Sequence, residues 1–284
     1  MNRKLKAILL ITRPINSLMM GFAVIVGYFI ASQGIFDKVN VWHLMLGFLT
    51  GSLLTASSMV LNDYFDREID AINAPYRPIP SGLISPREAV AYALLLSVLG
   101  ILFSSMINIL CFIIAVISFT VSSLYNALFK RTGLLGNFMV SFCVAMPFIF
   151  GAAIIGKIES FILIFFLMVF LSNTAREVIK GIVDIEGDRV KGIMTVAVRF
   201  GGKVASKVAF TLFLLAIMLS PLPFISGYMG YAYLALILIA DIGFIYSSVK
   251  LIKNPSKYEA LKAKRHILLW MFLGLMAFLF GTFV

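Results

Sequence analysis

The chain carries its acidic residues in two groups that could do chemistry together. Asn62-Asp63-Tyr64-Phe65-Asp66-Arg67-Glu68-Ile69-Asp70 follows directly on a long apolar run. On a helix, Asp63, Asp66 and Asp70 at i, i+3 and i+7 share one face. Three carboxylates stacked at a membrane surface repel one another unless something cationic sits among them. Asp184 and Asp188, at i and i+4, follow a later apolar run. In a chain with only 13 Asp and Glu among 284 residues, two such groups suggest one shared divalent-metal site. Carboxylates are hard oxygen ligands suited to Mg²⁺, which commonly takes one or two of them together with phosphates and waters. A diphosphate bridged by Mg²⁺ is a better leaving group, because the metal offsets the charge that develops as the bond breaks. Arg67, Arg77, Lys130, Arg131, Lys180 and Arg189 supply cations for such an anion.

The elements that must position these residues are membrane helices. Hydrophobic residues make up 61% of the chain and charged ones 13%, with a mean hydropathy of +1.01. A soluble domain would be about 45–50% apolar and about 25% charged. The expected fold is all-α: a single polytopic membrane domain over 1–284, with about nine transmembrane helices. Apolar segments long enough to cross a bilayer fall at about 14–33, 42–62, 88–107, 109–128, 135–156, 160–180, 204–222, 230–250 and 266–283. The basic N-terminus followed by an apolar run resembles a signal peptide, but no cleavage site follows, so the run reads as a retained first helix. Pro147 lies inside the fifth span, where it could kink the helix. All Lys and Arg except Lys38 and Lys157 fall on one side of this topology. The positive-inside rule makes that side cytoplasmic, with the N-terminus in and the C-terminus out. The net charge of +11 is therefore juxtamembrane and implies no nucleic-acid partner.

Both acidic groups lie on the basic side, after spans two and six. Asn62-x-x-x-Asp66-Arg67 matches Asp184-x-x-x-Asp188-Arg189 when shifted by 122 residues, from 62 to 184. This suggests a four-helix unit repeated in parallel, plus a ninth helix. The spans hold many of the 26 Phe residues, whose ring faces suit a prenyl chain and a transient carbocation. A transporter of divalent cations or phosphorylated solutes is the different-class alternative, although such proteins usually bind near the bilayer midplane at inverted repeats. Cys111 and Cys143 lack metal spacing and read as small core residues. His43 and His266 sit near span ends on opposite sides. Gly47-x-x-x-Gly51 permits close helix packing. Asp241, an acid inside span eight, is either functional or paired within the bundle.

These residues resemble the UbiA superfamily of intramembrane prenyltransferases. Asn62-Asp63-x-x-Asp66-x-x-x-Asp70 matches the family's first Asp-rich motif without a mismatch, and Asp184-x-x-x-Asp188 matches the core of the second. Arg13-Pro14-x-Asn16, Arg77-Pro78-Ile79-Pro80-Ser81-Gly82 and Arg176-Glu177-x-x-Lys180 also look like family segments. The resemblance implies nine helices around a central cavity capped by cytosolic loops, and Mg²⁺-dependent transfer of a prenyl group from its diphosphate to an acceptor. It implies that Asp63, Asp66, Asp70, Asp184 and Asp188 hold Mg²⁺. Asn62 and Asn16 would position the diphosphate. Arg67 and Lys180 would contact its oxygens, and Arg13, Arg77, Tyr125 and Lys130 would complete the substrate site. The chain departs from the family in having Gly181 and Gly192 where acids often stand. Its Tyr125 to Lys130 segment is one residue longer than the family's Tyr-x-x-x-Lys, which leaves Lys130 and Arg131 as alternatives. The first motif and the Arg77–Gly82 segment look most like the archaeal branch that adds a geranylgeranyl group to geranylgeranylglyceryl phosphate, a lipid acceptor. Transfer to an aromatic acceptor of quinone, haem or chlorophyll synthesis is the same-class alternative.

Overall fold

A computed structural model describes residues 3–35, 41–156, 158–190 and 192–283. Among them the chain is all-helical, without strands. Among the described residues, nine helices are long and apolar enough to cross a membrane. Lys38 and Lys157, the two basic residues expected on the opposite side, lie outside the described residues.

A short amphipathic helix, α1 (Arg3–Ile11), precedes the first span and buries Ala7 and Ile11. It was not among the expected spans, being too short to cross. The chain then turns at Arg13, whose φ of 47° and ψ of 67° are left-handed, and Pro14 starts α2 (Pro14–Ser32). Proline suits this first position, where its missing N–H has no helical partner to lose. Next comes α3 (Val41–Asn73). It is longer than the expected span, so the first acidic group lies on the same unbroken helix that crosses the membrane. A loop leads to α4 (Pro86–Ser105), opened by a reciprocal cap between Ser85 and Glu88. Then α5 (Ile109–Ala127) and a 3-10 turn at Phe129–Arg131 lead into α6 (Leu134–Ile154), which runs through Pro147.

The second half repeats the pattern with α7 (Ser160–Val183), a short α8 (Ile185–Val190) and α9 (Val196–Leu219). Gly201 breaks α9 with a φ of 81°. A further turn, α10 (Leu222–Ile225), is followed by α11 (Tyr231–Lys253) and α12 (Lys257–Phe280). The last helix begins well before the expected apolar stretch at 266, because Ser256 caps it by accepting from the Glu259 N–H at 3.3 Å. Capping and the helix-forming run of Lys, Glu and Ala carry it through the basic segment.

The contacts reproduce the expected repeat. As α2 packs on α3 and α3 on α4, so α6 packs on α7 and α7 on α9; α4 meets α5 as α9 meets α11. The two units join where α2 crosses α6. That crossing is close because it is made of glycines: a Cβ on Gly27 would stand 2.5 Å from the Phe148 carbonyl oxygen, and one on Gly151 would stand 2.3 Å from that of Val24. Leu94, Leu95, Val98 and Leu102 of α4 face outward, as a lipid-covered wall requires. Cys111 and Cys143 are free thiols, the first buried. Asp241 is buried and far along the chain from both acidic groups. Its carboxylate accepts from Ser220 Oγ at 2.6 Å, and Tyr233 donates to the Ser220 carbonyl at 2.6 Å. It thus ties α11 to the end of α9, where Pro221 leaves the helix.

Candidate active site at one end of the bundle

Each carboxylate of the first group is held by a cation from a different segment. Asp63, 5% exposed, accepts from Arg13 Nη2 at 2.8 Å and lies 3.5 Å from Arg77 Nη1. Arg77 donates to Asp70, also buried, at 2.5 Å. Lys130 pairs with Asp66. Local chain geometry supplies these cations. The left-handed Arg13 is a conformation that costs a non-glycine residue energy and persists where surroundings over-determine it. Here it sends the guanidinium from the α1–α2 corner onto α3. Arg77 sits in the 74–85 loop, which is anchored by Ile79 and Ile84 packing with Ala7 and Ile11 of α1.

A polar ladder between α3 and α5 leads up to Asp66. Ser58 and Ser122 share a hydrogen bond of 2.5 Å. One turn on, Asn62 donates to Asn126 Oδ1 at 3.0 Å, and Asn126 donates to the Ser58 carbonyl at 3.3 Å. One turn further stands the Asp66–Lys130 pair. The three rungs join residues 58/122, 62/126 and 66/130, four residues apart along α3 on one side and along α5 and the 3-10 turn that follows it on the other. Lys130, not the exposed Arg131, therefore faces the acids. Burial pushes the Lys130 ammonium below the usual lysine range, against the pull of Asp66.

The second acidic group is built differently. Asp184 caps the C-terminus of α7 and is exposed, and Asp188 is half-buried on α8. Their backbones close a turn, with the Asp188 N–H donating to the Asp184 carbonyl at 2.8 Å. Two turns before them, Glu177 accepts from Arg176 at 2.7 Å and from Lys180 at 3.2 Å. The glycines that replace family acids have structural roles. Gly181 is buried, and a Cβ there would touch the Thr195 side chain at 3.4 Å. Gly192 has a φ of +68°, which favours glycine.

Tyr125 at the end of α5 lies between the two groups. The charges of Lys180, Glu177, Asp66 and Asp188 all act on its hydroxyl. Lys130 in turn feels both Asp66 and Lys180. Both acidic helix ends are thus within electrostatic reach of Tyr125. One turn below Tyr125 on α5 is Val121, which with Phe138, Met139, Phe142 and Phe170 lines an open apolar groove of about 250 Å³. Phe138 stacks on Phe170 with centroids 5.7 Å apart, and Phe166 stacks on Phe170 at 6.0 Å.

Among the expected site residues, Arg13, Asp63, Arg77 and Asp70 form one chain of ion pairs, Asp66 pairs with Lys130, Asn62 bonds to Asn126, and Lys180 on α7 pairs with Glu177. Arg67 turns along its own helix instead. It donates to the Tyr64 carbonyl at 3.0 Å and lies over the Tyr64 ring at 4.7 Å. Asn16 is exposed on the first turn of α2. Among the described residues no three His, Cys, Asp or Glu side chains converge to hold an ion, because the first group is spread over its own cations. Sequence reasoning missed Asn126, Ser58 and Ser122. The signal for them was present in the shared four-residue spacing of polar residues on spans two and four.

Comparison with known proteins places this arrangement. A model of the UbiA prenyltransferase family matches residues 20–280. Digeranylgeranylglyceryl phosphate synthase of Methanococcus aeolicus is 38% identical over 99% of both chains. The protein of the same name from Methanopyrus kandleri is 38% identical over 97% of this chain and 98% of that one. A solved structure described as digeranylgeranylglyceryl phosphate synthase in membranes superposes with a TM-score of 0.84 at 36% identity, covering 99% of each chain. A UbiA homologue from Archaeoglobus fulgidus bound to GPP and Mg²⁺ shares the fold, with a TM-score of 0.69 at 18% identity over 96% of this chain and 99% of that one.

Proposed function

The chain belongs to the UbiA prenyltransferase family, and we propose that it transfers a geranylgeranyl group from its diphosphate to geranylgeranylglyceryl phosphate. The observation that carries this reading is the vertical order at the mouth. Acids and cations ring the top, around Tyr125, and an aromatic groove opens one turn beneath. A prenyl diphosphate has the same order, an anionic head on an apolar chain. The similarity to digeranylgeranylglyceryl phosphate synthases over nearly the whole chain selects the donor and acceptor.

In this reading Asp63, Asp66 and Asp70 from α3, with Asp184 and Asp188 from α7 and α8, would hold Mg²⁺. Their hard oxygens fit that ion, and the neighbouring Arg13, Arg77 and Lys130 fit the phosphate oxygens that accompany it. Bound Mg²⁺ supplies charge neutralisation to the departing diphosphate. Lys130 and Lys180 face the mouth from opposite walls and stabilise the same developing charge. The Phe138, Phe142 and Phe170 rings present π faces to the allylic cation as the C1–O bond to diphosphate breaks. They also exclude the water that would quench it. The acceptor hydroxyl oxygen then bonds to C1 and its proton passes to the departed diphosphate, giving the ether and protonated diphosphate.

The test is an assay of the purified protein with geranylgeranyl diphosphate and two acceptors, geranylgeranylglyceryl phosphate and 4-hydroxybenzoate. Transfer to the lipid alone is expected. Transfer to the aromatic acid alone would replace the lipid reading. The basic face is proposed as cytoplasmic, with the N-terminus on that side. Single cysteines at 75 and 187, in a background lacking Cys111 and Cys143, are expected to label from the cytoplasmic side, and one at 226 only from outside. Labelling of 75 and 187 from opposite faces would divide the proposed site.

A further inference from the structure

Two ionisable residues on α7 lie deeper than the second acidic group, and the transfer step leaves both unused. Arg176 and Glu177 stand about two turns inside the helix, which ends at Val183. A basic residue that only marks topology belongs at the membrane surface or in the loop beyond it. An ionisable pair further in is a functional site by default.

Glu177 has a cation without Arg176. Lys180 pairs with it at 3.2 Å, with the i, i+3 spacing at which helix side chains meet. Arg176 gives Glu177 only its Nη1, at 2.7 Å. Its Nε is buried and has no hydrogen-bond partner among the described residues. A buried donor left unpaired is destabilising, and this one belongs to a charge that a protein cannot remove by deprotonation. Two cations on one acid also leave the cluster net positive. The side edge of a guanidinium, Nε with its neighbouring Nη, can take two oxygens of one anion at once. The cluster is therefore suited to a second anion, approaching Arg176 from its Nε edge.

Its depth says which anion. At 1.5 Å per residue, Arg176 lies about 12 Å along α7 from Asp184 and about 9 Å from Phe170. Asp184 belongs to the acidic group and Phe170 to the aromatic groove. The donor's reacting carbon joins its diphosphate to its chain, so it sits between those two levels. The acceptor hydroxyl must meet it there, and a glyceryl phosphate carries its hydroxyl and its phosphate on neighbouring carbons. Glu177 and Lys180 are within electrostatic reach of Tyr125 above the groove. Resting on the lipid reading above, we propose that Arg176 binds the phosphate of the glyceryl lipid acceptor through its Nε edge. Glu177 holds the guanidinium in place, and the pair selects a phosphorylated acceptor.

The experiment measures steady-state transfer by the purified full-length protein with Mg²⁺ and geranylgeranyl diphosphate. The acceptors are geranylgeranylglyceryl phosphate and geranylgeranylglycerol, which lacks the phosphate. Arg176→Gln is expected to raise the KM for the phosphorylated acceptor about tenfold to a hundredfold, with the donor KM unchanged. For geranylgeranylglycerol, kcat/KM is expected to be the same in wild type and variant. Arg176→Lys is expected to recover part of the loss. Equal losses on both acceptors would make Arg176 structural, and a raised donor KM would give it to the diphosphate; either overturns the proposal. So would a wild-type protein that uses both acceptors equally well, a measurement that needs no variant. Wild-type transfer to neither would overturn the lipid reading itself, and this inference with it.

Discussion

The two acidic groups come from equivalent places in a repeated unit, yet one is buried among cations and the other lies toward solvent. On α3 the carboxylates of Asp63 and Asp70 are buried and each is gripped by an arginine from outside the helix. On α7 and α8, Asp184 is exposed and Asp188 half-buried. Burying a charge costs several kcal/mol unless it is paired, so the first group had to recruit Arg13, Arg77 and Lys130 in order to exist inside the fold. Asp184 of the second group stands exposed at a helix end and bears no such burial cost. The same motif positions thus serve two purposes. The first group organises the α1–α2 corner and the 74–85 loop around itself, while the second closes the turn between α7 and α8 at the solvent edge.

The contrast concerns structure and not catalytic weight, and the largest expected effects test that. Asp66→Ala and Asp188→Ala should each lower transfer by about a hundred- to thousandfold in a single-turnover assay. EDTA should abolish it and Mg²⁺ restore it. Undiminished transfer in Asp188→Ala would mean that the second group is a remnant. A smaller effect should separate the groups on stability. Asp63→Asn weakens a charge-assisted bond to Arg13 and should cost ~2 kcal/mol, read as a lower thermal midpoint in detergent. Asp184→Asn should leave that midpoint unchanged. Equal losses would erase the distinction drawn here.

The smallest effect concerns pH. Burial depresses the Lys130 pKa, so the ammonium is lost as pH rises through a value below the usual lysine range. Transfer should fall along that alkaline limb. Lys130→Arg should carry the limb to higher pH, since a guanidinium does not titrate there. Stability moves the other way. In the window between the depressed folded value and the unfolded value, the unfolded chain binds more protons, so Lys130 contributes increasing stability as pH rises. Coincident alkaline limbs in wild type and Lys130→Arg would assign the titration to another group.

The nine crossings were legible because each needs about 20 apolar residues and little else. The two acidic groups were legible because acids are scarce in this chain. What stayed hidden was set by tertiary distance. Nothing local to Arg13 announces that its backbone turns left-handed to reach Asp63, fifty residues on. Nothing local to Arg67 shows that it folds back on Tyr64 while the more distant Arg77 takes the acids. The start of α12 at Lys257 was also missed. A helix can extend beyond the hydrocarbon, and hydropathy reports only the part inside it. The choice of Lys130 over Arg131 became clear only once α3 and α5 were seen side by side, since one residue of phase decides which of the two faces the acids.

The Ser58–Ser122, Asn62–Asn126 and Asp66–Lys130 ladder has a consequence for how the protein is made. Two helices inserted separately into a bilayer can slide past each other by a turn, about 5.4 Å, without exposing apolar surface to water. Serine and asparagine rungs tolerate such a slip, because each finds another hydroxyl or amide at the next step. The charged rung is more demanding: one turn out of phase, Asp66 trades the Lys130 ammonium for the neutral Asn126 amide. The ladder acts as a vernier in which the last mark is the most sensitive. Misregistered chains are therefore marked at the position where catalysis would begin, which ties biogenesis of the bundle to its competence.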